Sequence, residues 1–179
     1  MKANTLRKLS PIMFITLVVL ISVTLLAFTE SFTSAQLEAQ KHQQVIAKLE
    51  GIFPEMTDYD PKDDIYILYA NGDKIGYAFL ATGVGYSGDI SILVGLEDAE
   101  TVKGIIIVSH EETPGLGSKI TESDFTDQFI GLNINDVNLK DEGGQIDSIT
   151  GATISSKAVI DAVRETAMEK VKLIEQGTN

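Results

Sequence analysis

Two short stretches of the chain combine small and polar residues at points where a predicted strand gives way to a loop or a helix. The first is Glu112-Thr-Pro-Gly-Leu-Gly117, directly after a predicted buried strand. Its two glycines allow backbone angles closed to other residues and let a ligand approach the main chain closely, and Pro114 stiffens the turn. The pattern is compatible with a ligand-binding loop and also with a Gly/Pro turn that binds nothing.

The second stretch is Asp147-Ser-Ile-Thr-Gly-Ala-Thr-Ile-Ser-Ser156, at the entrance to a predicted helix. Free amides and the positive end of the helix dipole make such an entrance suitable for a phosphate group. Gly151 and Ala152 leave room for a bulky group beside Thr153. In the alternative interpretation, a hydroxyl of Thr153, Ser155 or Ser156 only caps the helix.

Composition excludes several classes of chemistry. The chain has no cysteine, so disulfides, thiolate nucleophiles, chain-held iron–sulfur clusters and thioether-linked haem are ruled out. With only two histidines, imidazole metal centres and imidazole catalysis are disfavoured, and we predict neither a metal site nor an independent catalytic site. The formal net charge of −12 disfavours nucleic acid as a partner, because an acidic surface repels phosphate.

The two stretches together resemble a known family. Asp147 to Thr153 resembles the flavinylation motif of FMN-binding domains, in which an acidic residue precedes Ser/Thr-Gly-Ala-Thr. Glu112 to Gly117 matches a second element of that family, in the same order along the chain. With its N-terminal apolar segment, the whole chain is similar to the G subunit of the Rnf ion-pumping electron-transport complex. It is also similar to the usually longer C subunit of the sodium-pumping NADH:quinone reductase.

This resemblance implies that Thr153 carries FMN through a phosphoester. A separate flavin transferase, which uses FAD and a divalent metal, would read Asp147 together with Thr150, Gly151 and Ala152. The pocket of the isoalloxazine ring would be lined by Glu112, Thr113, Leu116 and Gly117. Backbone amides and Thr113 are expected to bond the polar edge of the ring, with Leu116 against its face.

Four more side chains could act near this site, each with an ordinary surface role as the alternative. His110 could tune the flavin or accept a proton, and Tyr86 could contact the ring. Lys119 and Lys157 could offset phosphate charge.

The resemblance implies an electron-carrier subunit of a membrane complex that couples electron transfer, of the ferredoxin/NAD type, to ion translocation. Its partners would be the other membrane subunits and the flavin transferase. One alternative is a membrane-anchored, flavin-bearing module that works outside an ion pump. Another is a tethered domain that binds no flavin, in which both loops are structural.

The N-terminal segment predicts a membrane anchor. Residues 11–29 are nineteen residues without a charge, which as a helix would reach about 28 Å, close to the bilayer core of roughly 30 Å. Lys2, Arg7 and Lys8 precede the span, so residues 1–10 are expected in the cytoplasm and the remainder outside. The alternative is a signal peptide cleaved near Thr33-Ser-Ala35. A juxtamembrane helix over 30–53 and an extracytoplasmic FMN-binding domain over 54–179 complete the predicted single-pass organisation.

The domain that positions the two stretches is predicted to be α+β, an antiparallel sheet with its helices packed on one side. The predicted strands are Asp64–Ala70, Lys74–Thr82, Ile90–Leu96 and Val102–Ser109, with a flexible loop over Gly83–Gly88 between the two strand pairs. A short helix over Phe125 and Phe129 is predicted to start at an N-cap in Thr121–Asp124. A long helix is predicted over Ile154–Glu175, because its apolar residues recur on one face.

Overall fold

The computed structural model describes residues 13–24, 45–62 and 64–176. The chain divides into two units between Gln44 and Val45. In the first unit, residues 13–24 form a helix with exposed apolar side chains. Within the described ranges, no helix combines the length and apolar character that a membrane crossing requires. The other residues of the predicted 11–29 span, and residues 30–44 of the predicted juxtamembrane helix, lie outside those ranges.

The second unit is built on a five-stranded antiparallel sheet whose strands follow one another in chain order. The strands are β1 (Asp58–Lys62), β2 (Ile65–Ala70), β3 (Asp73–Val84), β4 (Asp89–Leu96) and β5 (Val102–Ser109). The predicted antiparallel sheet is therefore confirmed. Strand β1 was missed because most of its side chains are exposed and it carries no apolar alternation; it joins the sheet through backbone pairing with β2.

The prediction of a loop over Gly83–Gly88 is wrong in its length, because the loop is shorter in the structure. Strands β3 and β4 pair as far as Val84 and Asp89, so only residues 85–88 form the turn. Its ends are joined by a hydrogen bond from the Gly85 amide to the Gly88 carbonyl, 2.9 Å long. All five strands therefore form one continuous meander.

One face of the sheet holds the larger core. Alternate residues of β4, from Ile90 to Leu96, are fully buried on this face. The long helix (Thr153–Gln176) packs over them through Val159, Val163 and Ala167, which are also fully buried. This confirms the predicted helix and its apolar face.

A second core covers the opposite face, so the prediction that the helices pack on one side is wrong. The helix over 45–52 and the following Phe53 pack against β2, β3 and β4. A Cβ on Gly95 would lie 2.6 Å from Cγ2 of Ile52 and 2.7 Å from Cε2 of Phe53, so glycine lets this helix approach the sheet closely. The one-sided prediction failed because the central strands are apolar on both faces.

The segment between β5 and the long helix is a series of short turns. It contains one helical turn at Ser123–Thr126 and 3-10 turns at Gly117–Thr121, Asp127–Phe129, Ile134–Asp136 and Lys140–Glu142. The buried rings of Phe125 and Phe129 meet edge to face, with centroids 5.6 Å apart. The predicted N-cap is wrong, since Glu122 precedes the helical turn without a side-chain cap and the Thr121 hydroxyl donates to the Ser118 carbonyl.

Candidate functional site

The two sequence stretches meet at one cavity of about 480 Å³. Seven of the predicted site residues line it, and Tyr86, Ile154 and Ser155 complete the wall. The seven are Glu112, Thr113, Leu116, Gly117, Gly151, Ala152 and Thr153. Thr150 and Asp147 are not among the lining residues.

The first wall of the cavity is the turn that follows β5. The amides of Leu116 and Ser118 both donate to the Thr113 carbonyl, at 3.2 and 3.1 Å. Gly115 has a φ of +75°, a left-handed conformation that favours glycine. Gly117 is buried, and a Cβ there would lie 2.5 Å from Oε2 of Glu112. The glycines predicted to shape a loop are therefore required by its conformation and packing.

Glu112 is a buried carboxylate in this wall, with only 4 % of its surface exposed. Its Oε1 accepts a hydrogen bond from the Ser87 amide at 3.0 Å, and its Oε2 accepts one from the Ser155 hydroxyl at 2.5 Å. Its own amide donates to Nδ1 of His110 at 3.1 Å. The burial of this acid is thus compensated by donors from two other segments.

The second wall is the entrance to the long helix. Gly151 adopts a φ of +80°, and the Ala152 amide donates to the Ile149 carbonyl at 2.9 Å. The Ser156 hydroxyl ties this turn to the helix, because it donates to the Ala152 carbonyl and accepts from the Ile149 amide, each at 3.0 Å. We call residues 149–152, fixed in this way, the Gly151 turn.

Thr153 is the first residue of the long helix, and its side chain is exposed at the cavity. Its hydroxyl forms no hydrogen bond to any described part of the chain, whereas those of Ser155 and Ser156 are engaged. The amides of a first helical turn lack intrahelical acceptors, and this first turn carries no acidic residue. The helix entrance therefore offers a free hydroxyl beside an electropositive helix end.

Asp147 faces a separate groove of about 650 Å³, whose lining includes Lys119, Gln128 and Lys140. The carboxylate of Asp147 forms an ion pair with Lys140. Gln128 holds its backbone from both sides: Oε1 accepts from the Asp147 amide at 2.7 Å, and Nε2 donates to the Asp147 carbonyl at 3.4 Å. Thr150 is exposed and lines neither depression.

The remaining candidates have different positions. Tyr86 is 72 % exposed at the edge of the cavity, where it can contact a ligand. Lys119 lines the groove rather than the cavity. Lys157 forms ion pairs with Glu142 at 2.7 Å and Asp161 at 3.8 Å, and its hydrogen bond to Glu142 raises the pKa of the Lys157 ammonium above 10.5. Its charge is thus already balanced by acids outside the cavity.

The sequence indicates Ser155 only as a possible helix cap, yet in the structure Ser155 is a buried member of the cavity wall. It lies four residues before Val159 and eight before Val163, on the buried face of the long helix. A polar residue on an apolar helix face requires a buried polar partner, and that is the signal which could have identified it.

Comparisons with known proteins agree with this geometry. A family model described as an FMN-binding domain matches residues 85–167. The G subunit of the ion-translocating oxidoreductase complex of Methanosarcina acetivorans is 37 % identical over 165 residues, which cover 83 % of this chain and 88 % of the relative. The chain belongs to the G-subunit family of ion-translocating oxidoreductase complexes.

A second member of this family and one solved structure are also similar to the chain. The G subunit of the Vibrio vulnificus complex is 33 % identical, over 79 % of each chain. The solved C subunit of the Na⁺-translocating NADH-quinone reductase of Parabacteroides distasonis matches with a TM-score of 0.51 and 25 % identity, over 60 % of this chain and 61 % of that one. All ten residues that line the cavity fall inside the segment matched by the FMN-binding family model.

Proposed function

We propose that this chain is an electron-carrier subunit of a membrane-bound ion-translocating oxidoreductase complex and that it bears FMN as a phosphoester on Thr153. The observation that carries the proposal is that Thr153, whose hydroxyl has no hydrogen-bond partner among the described residues, lines the same cavity as the Glu112–Gly117 turn. That cavity lies within the segment that the FMN-binding family model matches.

The residues present fit such a cofactor. A volume of about 480 Å³ lies within the roughly 300–1,000 Å³ typical of small-molecule sites. A Cβ on Gly151 would lie 3.1 Å from Cδ1 of Leu116, so glycine there keeps the space between the two walls open. The entrance of the long helix suits a phosphate group, because its first amides are free to donate.

In this proposal, Thr153 and the first-turn amides hold the phosphate, while Glu112, Thr113, Leu116 and Gly117 hold the ring. The flavin supplies the electron transfer, and the chain supplies its position and electrostatic surroundings. Gly151 and Ala152 keep the attachment point uncrowded. We assign no independent catalytic residue to this chain, since the redox reaction belongs to the assembled complex.

Attachment of the flavin would be the work of a separate flavin transferase that recognises Asp147, Thr150 and the Gly151 turn. The geometry supports a recognition role for Asp147, because its carboxylate is exposed and lies outside the cavity. Gln128 would present it in a fixed position through its two bonds to the Asp147 backbone.

The proposed organisation places residues 1–10 in the cytoplasm, a single span at 11–29, a juxtamembrane helix at 30–53 and the FMN-binding domain, 54–179, on the outer side of the membrane. Basic residues before the apolar span support this orientation. Protease added to spheroplasts should digest the domain and leave the first ten residues protected. Protection of the domain until the membrane is broken would contradict this topology.

The direct test is to produce the full chain together with a flavin transferase and to record flavin fluorescence in a denaturing gel. Cleavage after Lys140 and Lys157 releases one peptide that contains Thr150, Thr153, Ser155 and Ser156, and fragmentation mass spectrometry locates the label within it. We expect the label on Thr153. Thr153→Ala should abolish the fluorescence, while Thr121→Ala, an exposed threonine outside the cavity, should retain it.

A label mapped to Thr150 or Ser155 would overturn the attachment site, and a chain without covalent flavin would overturn the cofactor assignment.

Purification from native membranes distinguishes a subunit of an ion-translocating complex from a flavin-bearing module that works alone. A component of the complex should co-purify with other membrane subunits, whereas a module that works outside an ion pump should be isolated alone with its flavin.

A further inference from the structure

One buried carboxylate connects all three segments that surround the cavity. Glu112 belongs to the turn after β5, Ser87 lies in the β3–β4 turn, and Ser155 lies in the first turn of the long helix. The two oxygens of Glu112 each accept one hydrogen bond, from the Ser87 amide and from the Ser155 hydroxyl. Ser155 and Glu112 are 43 residues apart in the chain, so this contact exists only in the folded domain.

We propose that Glu112, held between the Ser87 amide and the Ser155 hydroxyl, is a positioning residue that fixes the β3–β4 turn and the helix start around the flavin. This inference rests on the proposed function for the identity of the ligand. We call this three-segment contact the Glu112 joint.

Two glycines leave open the space that the Glu112 carboxylate occupies. A Cβ on Gly85 would lie 2.3 Å from Oε1 of Glu112, and a Cβ on Gly117 would lie 2.5 Å from Oε2 and 3.0 Å from the Ser155 hydroxyl. Contacts this short are not tolerated, so both positions need glycine for the carboxylate to reach its two donors. Two glycines in two different segments therefore accommodate one side chain.

The joint controls where Tyr86 lies. The bond between Gly85 and Gly88 closes the β3–β4 turn on itself, whereas the Ser87 bond ties the turn to the rest of the site. Tyr86 precedes Ser87 and lines the cavity while 72 % exposed. Without Glu112, the tip of the hairpin is free to swing and to carry Tyr86 away from the cavity.

The joint also fixes a negative charge in the cavity wall. Reduction of a bound flavin adds electrons, so a nearby carboxylate favours the oxidised state and lowers the midpoint potential. Replacement of Glu112 by glutamine keeps the shape and removes the charge. A glutamine can still accept from the Ser87 amide through its oxygen and donate to the Ser155 hydroxyl oxygen through its nitrogen.

The first arm of the test uses the full chain in detergent, made without a flavin transferase. Hydrogen exchange at the Ser87 amide, read by fragmentation mass spectrometry, should accelerate about tenfold or more in Glu112→Ala, because a bond to a charged acceptor is lost. Glu112→Gln should stay close to wild type, and Ser155→Ala should show a smaller acceleration than Glu112→Ala. Exchange at the β4 amides reports whether each variant remains folded.

Matched controls are available beside the joint. Glu111→Gln changes the neighbouring exposed carboxylate, and Ser123→Ala removes an exposed serine hydroxyl outside the cavity; both should leave the Ser87 rate unchanged. An unchanged Ser87 rate in a folded Glu112→Ala would overturn the joint. If Glu112→Ala does not fold, the joint would be overturned by an unchanged Ser87 rate in Ser155→Ala, or by a Ser87 amide that is already unprotected in wild type.

The second arm measures the midpoint potential of flavin-loaded protein by spectroscopic titration. Glu112→Gln should shift it to a more positive value, and Glu111→Gln should not. Normal loading with an unshifted potential in Glu112→Gln would overturn the role of the Glu112 charge beside the flavin and leave the proposed function intact. A wild-type chain that takes no flavin would instead overturn the proposed function, and the Ser87 exchange rate would still support or overturn the joint.

Discussion

Thr153 and Asp147 lie six residues apart in the motif, yet the structure gives them different surroundings. Thr153 lines the cavity, and the Asp147 carboxylate pairs with Lys140 in the groove. A motif that looks continuous in the sequence is thus divided between two surfaces. A ligand in the cavity can contact Thr153, while a protein that binds the groove can contact Asp147.

We therefore expect Asp147→Asn to lower flavin loading without lowering stability. The ion pair with Lys140 is solvent-exposed, and such pairs contribute only about 0–1 kcal/mol to the free energy of unfolding. Gel fluorescence per mole of protein and thermal unfolding measure the two effects. Asp141→Asn, an exposed acid outside both depressions, is the control and should load normally. Normal loading in Asp147→Asn would contradict the recognition role.

Among the local elements, the Gly151 turn can be tested against a turn of the same conformation elsewhere. Gly151 and Gly131 have φ values of +80° and +75°, so valine at either position costs about 1–3 kcal/mol of backbone strain. Only at Gly151 would the new Cβ meet Leu116; at Gly131 nothing lies within 4 Å. Both variants should therefore melt at similarly reduced temperatures, but only Gly151→Val should lose flavin loading. Equal loading would contradict the crowding argument.

The β4–β5 turn depends on a carboxylate that accepts backbone hydrogen bonds. Oδ1 of Asp98 accepts from the amides of Glu100 and Thr101, at 2.8 and 2.7 Å. These two bonds hold the pKa of the Asp98 carboxyl below its ordinary value of 3.8, and the bond from the Glu100 amide has the larger effect. Because its folded pKa is lowered, Asp98 stabilises the fold above the unfolded pKa, and this contribution is lost as the pH falls through the folded pKa.

Asp98→Ala should accordingly lower the free energy of unfolding by about 1 kcal/mol at pH 7. This loss is smaller than for a hydrogen bond to a buried charged group, because Asp98 is exposed to solvent. The difference from wild type should shrink as the pH falls below about 4. Denaturant unfolding across this pH range measures it, with Glu97→Ala as the exposed neighbour expected to have little effect. A difference that persists at pH 2.5 would contradict the assignment.

At the level of the whole chain, the second core determines where the domain can be cut. The face of the sheet opposite the long helix is covered by four buried side chains, those of Val45, Leu49, Ile52 and Phe53. A chain that starts at Val45 should fold and unfold cooperatively. One that starts at Pro54 should lose several kcal/mol, because each buried apolar side chain contributes about 1.5–3 kcal/mol. Equal stability of the two truncations, measured by denaturant unfolding, would contradict this role of residues 45–53.

Local properties of the sequence were sufficient to predict much of this protein. Strand-like runs separated by turn residues predicted β2 to β5, apolar spacing predicted the long helix, and small residues marked both cavity walls. Each of these signals depends on backbone geometry over a few neighbouring residues, so it can be read along the chain.

The features that were missed depend on which segments become neighbours. Strand β1 is held by pairing with β2, and the helix over 45–52 is held by packing on the face of the sheet opposite the long helix. The Glu112–Ser155 contact joins residues from distant segments, and Gln128 directs Asp147 into the groove rather than the cavity. Hydrogen-bond partners and burial depend on which surfaces pack against each other. These contacts join segments that are distant in the chain, so they are decided only when the sheet and the long helix come together.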